Sequence, residues 1–163
     1  PECFSINQHL KQWMFDAALI SIEPIKVGND LVITLNQIQQ AVGSEIPEAL
    51  VLRTLPNDSN KLFKQYSKSN PPYLESKAAA WMAEVGINHL LLDLPSVDRE
   101  MDEGALAAHK AFWSYPESPR FQATITELIF VPNFVLDGRY LLNLQVAPIE
   151  SDASPSRPVL FRK

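Results

Sequence analysis

The chain has one cysteine, three histidines and no apolar run near the roughly 20 residues that span a membrane. The lone Cys3 excludes an internal disulfide and any cysteine-based zinc site, and it suits a reducing compartment such as the cytoplasm. Basic residues are also scarce: 14 Lys and Arg stand against 19 Asp and Glu, for a net charge of −5. They do not cluster, which argues against nucleic acid as a partner, and no membrane partner is implied. The opening Pro1-Glu2-Cys3 has neither an initiator methionine nor a signal-peptide pattern, so an upstream stretch is expected to have been removed. There is no phosphate loop, no dinucleotide glycine pattern and no G-x-S-x-G elbow. His9, His89 and His109 are never two or four residues apart, so no self-contained histidine metal motif exists.

What is present is the composition of an ordinary globular domain, 46% apolar and 20% charged over 163 residues, long enough to bury a core. Apolar runs rich in β-branched residues alternate with short helical patterns, the mark of a mixed α/β domain. A helix is expected over 7–15, then strands over 17–23 and 31–33, the second after the Gly28-Asn29-Asp30 turn. Thr34 stands three residues before Gln37, the spacing of a capping box, and that helix should stop at Gly43. A buried strand over 49–53 is followed by a polar, turn-rich excursion over 57–72. The clearest helix has Ser76 as its expected N-cap and Gly86 as its stop. Ala78, Trp81, Met82 and Val85 fall on one face at i, i+3, i+4 and i+7.

The run over 87–94 reads as a strand covered on both faces, and strand–helix–strand order favours parallel pairing. A helix over 104–113 and strands over 123–131, 139–147 and 159–161 complete the expectation, with no repeat or linker that divides the chain.

Candidate chemistry gathers after residue 90. His89 lies in an apolar strand, where a histidine is more often a satisfied core residue than a ligand. Leu91-Leu92-Asp93-Leu94-Pro95-Ser96-Val97-Asp98 is an apolar strand ending in a polar turn, the place where α/β folds put sites. Asp98 and Asp102 read as solvated loop acids. Glu127, expected inside a strand of apolar neighbours, either faces solvent or needs a partner or a metal.

The segment from Asp93 to Asp98, then His109 with Phe112 and Trp113, then Glu127, resembles the C-terminal half of the cyclase-like metal-dependent hydrolases. That group includes kynurenine formamidase and isatin hydrolase. Gly138-Arg139-Tyr140 and the closing Asp152-Ala153-Ser154-Pro155-Ser156-Arg157-Pro158-Val159-Leu160 are similar to the same family's ending. The resemblance implies a swivelling β/β/α domain, a mixed sheet with surrounding helices, over residues 1–163. It implies a divalent metal, zinc or manganese, held by His109 and Glu127, and a small-molecule substrate against Phe112 and Trp113. It further implies a homodimer and hydrolysis of amide, formamide or lactam bonds by metal-activated water. The family's other ligands, and a histidine beside the scissile bond, come from an H-x-G-T-H-x-D-type motif absent from these residues. The expectation is therefore a module that lacks this motif and is inactive alone. A non-catalytic module with a binding or assembly role is the alternative.

Overall fold

The structure is a computed structural model that describes residues 5–163, so Cys3 and Phe4 lie outside the described residues. Its centre is strand β1 (Met14–Ile22), with β4 (Ala49–Thr54) parallel on one side and β8 (Gly138–Asn143) antiparallel on the other. The sheet extends through β6 (His89–Leu92) and β7 (Thr124–Thr126), both parallel. Beyond β8 it ends in the antiparallel β9 (Val159–Arg162), giving the order β7-β6-β4-β1-β8-β9. A small second sheet joins β2 (Ile25–Val27), β3 (Asp30–Ile33) and β5 (Tyr73–Leu74). This is a mixed α/β fold built on a six-stranded mixed sheet.

Alternation along the strands sorts side chains into two cores. Ala18, Ile20 and Ile22 of β1, Leu50 and Leu52 of β4, and Leu90 and Leu92 of β6 face one layer. That layer is covered by helices α2 (Leu35–Val42), α3 (Ser76–Glu84) and α4 (Ala107–Phe112) through Ile38, Met82 and Phe112. Each fully buried leucine in it contributes roughly 1.5–3 kcal/mol of transfer free energy. The intervening residues, among them Phe15, Ala17, Leu19, Val51 and Leu91, form a second core on the opposite face with Tyr140 and Leu142. Trp81, Met82, Val85, Leu90 and Leu92 share the helix-side core, with Trp81 and Val85 half-buried at its edge. No helix among the described residues is long and apolar enough to cross a membrane.

Local chemistry explains the element ends. The Thr34 hydroxyl accepts the Gln37 N–H while the Gln37 side chain accepts the Thr34 N–H, a complete capping box. Gly43 ends α2 at φ 69°, a backbone that side chains disfavour. The cap of α3 is Glu75 and not Ser76. The Glu75 carboxylate instead accepts Leu35 N–H, tying α3 to the start of α2.

Other expected bounds shift as well. The first helix, α1, spans only Ile6–His9, because Met14 and Phe15 pair with Asn143 and Leu142 of β8. The 57–72 excursion contains a single 3-10 turn, Ser59–Phe63. Helix α4 starts at Ala107 rather than 104, and the 139–147 strand is Gly138–Asn143. The expected 123–131 strand is only Thr124–Thr126, since Leu128 adopts φ 56°. That left-handed conformation costs about 1–2 kcal/mol for a non-glycine residue and breaks the pleat. The chain then returns to the sheet, with Leu128 N–H bonded to Leu94 O and Ile129 N–H to Leu92 O.

Candidate functional site

The carboxyl ends of the parallel strands β6 and β7 lie side by side, Leu91 opposite Thr126. Ligand sites of open α/β sheets form outside such ends. The turn after β6 delivers Asp98, the residue after β7 is Glu127, and α4 brings His109 between them. Glu127 is therefore not inside a strand, as its sequence context suggests, but one residue past the end of one. The break at Leu128 is what frees it from the pleat.

His109 Nδ1 is 2.6 Å from Asp98 Oδ2, and His109 Nε2 is 3.6 Å from Glu127 Oε1. Asp98 is buried, 6% exposed, and not the solvated loop acid that its surroundings in sequence suggest. Its Oδ1 also accepts the Ala108 N–H at 2.5 Å, and its Oδ2 the His109 N–H at 3.4 Å. Helix α4 has no capping side chain at its own N-cap, Leu106, which sits at φ 50°. A carboxylate ten residues upstream of Ala108 does that work. Asp102 caps the preceding turn by accepting Leu106 and Gly104 N–H, which hold its carboxyl below the usual range.

Glu127 accepts the Val97 N–H at 3.1 Å. Burial pushes its carboxyl above the usual range, against the opposing pull of His109 and of that N–H. A half-buried carboxylate with a raised pKa beside an imidazole in a cavity wall marks a candidate functional site. One residue of offset on α4 separates two roles. Ala108 and Phe112 face the helix-side core, and Phe112 is 0% exposed there. His109 and Trp113, one position round the helix, border the cavity with ring centroids 5.2 Å apart; Trp113 also packs against the edge of the helix-side core, and its indole N–H donates to Ala123 O. Phe112 thus packs in the core under the Arg120 guanidinium and does not line the cavity, whereas Trp113 does.

That cavity has a volume of about 1640 Å³ and lies over the second core. His109, Lys110, Trp113, Glu127 and Leu128 form part of its wall, and Ser5, Ile6 and His9 approach from the chain start. A smaller depression of about 530 Å³ beside Val42 and Arg139 contains none of these groups. Among the described residues no group of three or more His, Cys, Asp or Glu converges with metal-holding geometry. His89 stays apart from the site, as expected of a core histidine. Its Nδ1 is 2.9 Å from the Thr124 hydroxyl, its ring lies against Phe15, and burial, aided by Arg120, pushes its pKa down to about 4.

Two ion pairs brace the neighbouring strand ends, one largely buried and one with its aspartate exposed, and neither is signalled by the sequence. Asp93, 2% exposed, accepts Thr54 N–H and hydroxyl and pairs with Lys61 at 2.9 Å. Arg53 donates to Ser21, Pro132 O, Val135 O and Asp137.

The chain is 33% identical over 114 residues to the kynurenine formamidase of Bacillus mycoides, an alignment that covers 69% of this chain and 49% of that protein. It thus spans about half the length of this curated relative. Its fold is similar to a "predicted metal-dependent hydrolase" from Bacillus stearothermophilus, with a TM-score of 0.65 and 21% identity over 90% of this chain and 63% of that one. An isatin hydrolase bound to the product analogue thioisatinate matches with a TM-score of 0.58 and 13% identity, over 91% and 61% of the two chains. At these identities the two structures speak for the fold alone. The Cyclase family model matches residues 4–99, a stretch that includes Asp93 and Asp98 and stops short of His109 and Glu127. With more than half of its 163 residues matched, this chain belongs to the Cyclase family.

Proposed function

We propose that the chain contributes part of the active site of a metal-dependent hydrolase acting on non-peptide C–N bonds, those of amides, formamides or lactams. The observation that carries this is the 3.6 Å between His109 Nε2 and Glu127 Oε1. Two ligands bound near 2.1 Å to one tetrahedral ion stand roughly 3.4 Å apart. The donor set, one imidazole nitrogen and one carboxylate oxygen, suits zinc or manganese. The similarity to a kynurenine formamidase supports the same reading.

A bound divalent ion would supply Lewis acidity toward a carbonyl and acidify water. The chain's own groups hold and surround it. His109 and Glu127 are the two donors, and Trp113 offers a flat apolar wall beside them for a small-molecule substrate. Catalytic zinc takes about three protein ligands, so two donors leave coordination to be completed by solvent or a further chain. Exposed Leu128 and Phe134 at the cavity rim support a homodimer as the assembly. A monomer in sedimentation velocity at micromolar concentration would remove that element.

The two-donor count favours a second reading, a binding module without catalysis. Calorimetric titration with Zn²⁺ and Mn²⁺, run beside His109→Ala and Glu127→Gln, tests the site. The proposal expects binding by the unaltered chain that each substitution weakens at least tenfold. An assay with an aryl formamide then separates the readings: metal bound without turnover favours the binding module. Metal affinity indifferent to both substitutions sinks the site.

A further inference from the structure

We infer that Asp98 is a positioning residue that sets the tautomer of His109, placing the imidazole proton on Nδ1 and leaving the Nε2 lone pair directed at the Glu127 side of the cavity. The inference is about the imidazole; its consequence for metal binding rests on the reading proposed above. Neutral histidine in water favours the opposite tautomer, so the protein must impose this one.

The geometry leaves Asp98 little choice. Its Oδ1 accepts Ala108 N–H at 2.5 Å and its Oδ2 meets both His109 Nδ1, at 2.6 Å, and His109 N–H, at 3.4 Å. A carboxylate has only lone pairs to offer, so at 2.6 Å the facing Nδ1 has to be the donor. With Nδ1 protonated, a neutral ring is bare at Nε2. Such a carboxylate–histidine pair is how a ligand imidazole is commonly oriented toward a metal. Here the same carboxylate also caps α4, so the helix that carries His109 and the ring orientation are set by one group.

Asp98→Asn discriminates this from a merely structural cap. The backbone N–H of Ala108 cannot shed its proton, so the carbonyl oxygen of the substituted side chain must keep facing it. That turns the amide NH₂ toward Nδ1. The imidazole can move its proton where the backbone cannot, and it relocates it to Nε2. The Ala108 bond of the cap survives, the longer His109 N–H contact is lost, and the tautomer reverses, as in a catalytic triad whose aspartate is replaced by asparagine.

The test is long-range ¹⁵N–¹H correlation of the histidine rings at about pH 9, well above the ordinary imidazole pKa. His9 and His89 serve as internal references. The expected result is Nδ1–H at His109 in the unaltered chain and Nε2–H in Asp98→Asn. A proton on Nε2 in the unaltered chain overturns the inference by itself, even if the variant does not fold. The same proton position in both proteins also overturns it. A parallel Zn²⁺ titration should show affinity roughly 10- to 100-fold weaker in the variant. Measurable zinc binding of equal affinity in both proteins overturns the positioning role. Reversal of the tautomer with no zinc bound by either supports the inference and removes the hydrolase reading.

Discussion

His109 Nε2 and Glu127 Oε1 lie 3.6 Å apart, although one residue is on a helix and the other just past a strand. The contact exists because Asp98 grips the start of α4 from one side and Val97 N–H grips Glu127 from the other. Two adjacent residues of one turn thus set both halves of the site.

Glu127 is held against its own solvation. Its raised pKa means the folded state holds this proton more readily than the unfolded chain does. The stability this provides is complete below the unfolded carboxyl value and is lost as pH rises through the folded one. Glu127→Gln, which keeps an acceptor for Val97 N–H, should therefore raise the melting temperature at about pH 7 and leave it nearly unchanged at about pH 4. Equal shifts at both pH values would show that the carboxylate is not desolvated.

His89 gives the opposite slope. Its folded pKa of about 4 lies below the unfolded 6.5, so below pH 6.5 the unfolded chain takes up a proton that the folded one refuses. Stability should fall as pH drops from 6.5 toward 4, by up to about 3 kcal/mol at roughly 1.4 kcal/mol per pH unit. Urea unfolding at about pH 7 and about pH 4.5 measures this. His89→Gln, which retains a hydrogen-bonding partner for Thr124, should remove most of that loss.

Arg53 anchors the 132–137 segment through two backbone carbonyls and Asp137. Arg53→Ala takes the donor from Val135 O, while Pro132 O keeps Val135 N–H and Asp137 keeps Ser21, and should cost about 1–3 kcal/mol, less than for a fully buried pair because Asp137 is 45% exposed. Hydrogen exchange should quicken over 132–137, beside the cavity, before the rest of the sheet opens. Uniform protection loss would place the damage in the whole fold instead.

Thr34→Ala removes the hydroxyl half of the α2 capping box. The expected cost is about 1 kcal/mol in chemical denaturation. Thr34→Ser should recover most of it, since the hydroxyl alone makes the bond to Gln37 N–H.

Much of the architecture was legible along the chain. The 49–53 run announced a buried strand and the 87–94 run one covered on both faces, because a central parallel strand needs apolar side chains in both directions. Thr34 with Gln37 announced a helix start through a contact that lies within one turn. The errors have equally local causes. Strand β2 is three exposed residues, so no burial pattern marks it. The 123–131 run looks continuous because composition does not reveal that Leu128 turns left-handed. Of the three segments that carried the resemblance, 91–98 lies inside the family match, while 109–130 and 138–160 lie beyond it.

The sequence by itself determined the order of elements, the two faces of each central strand and the candidacy of His109 and Glu127. The first two follow from periodicity within a few positions, and the third from a resemblance in the order of residues. The tertiary structure alone decided that Asp98 is buried and bonded to His109, that Phe112 belongs to the core while Trp113 reaches the cavity, and that Glu127 stands free of its strand. Each of these depends on how far one segment rotates against another distant in sequence. On a helix one residue is about 100° of that rotation, enough to separate a core side chain from a ligand.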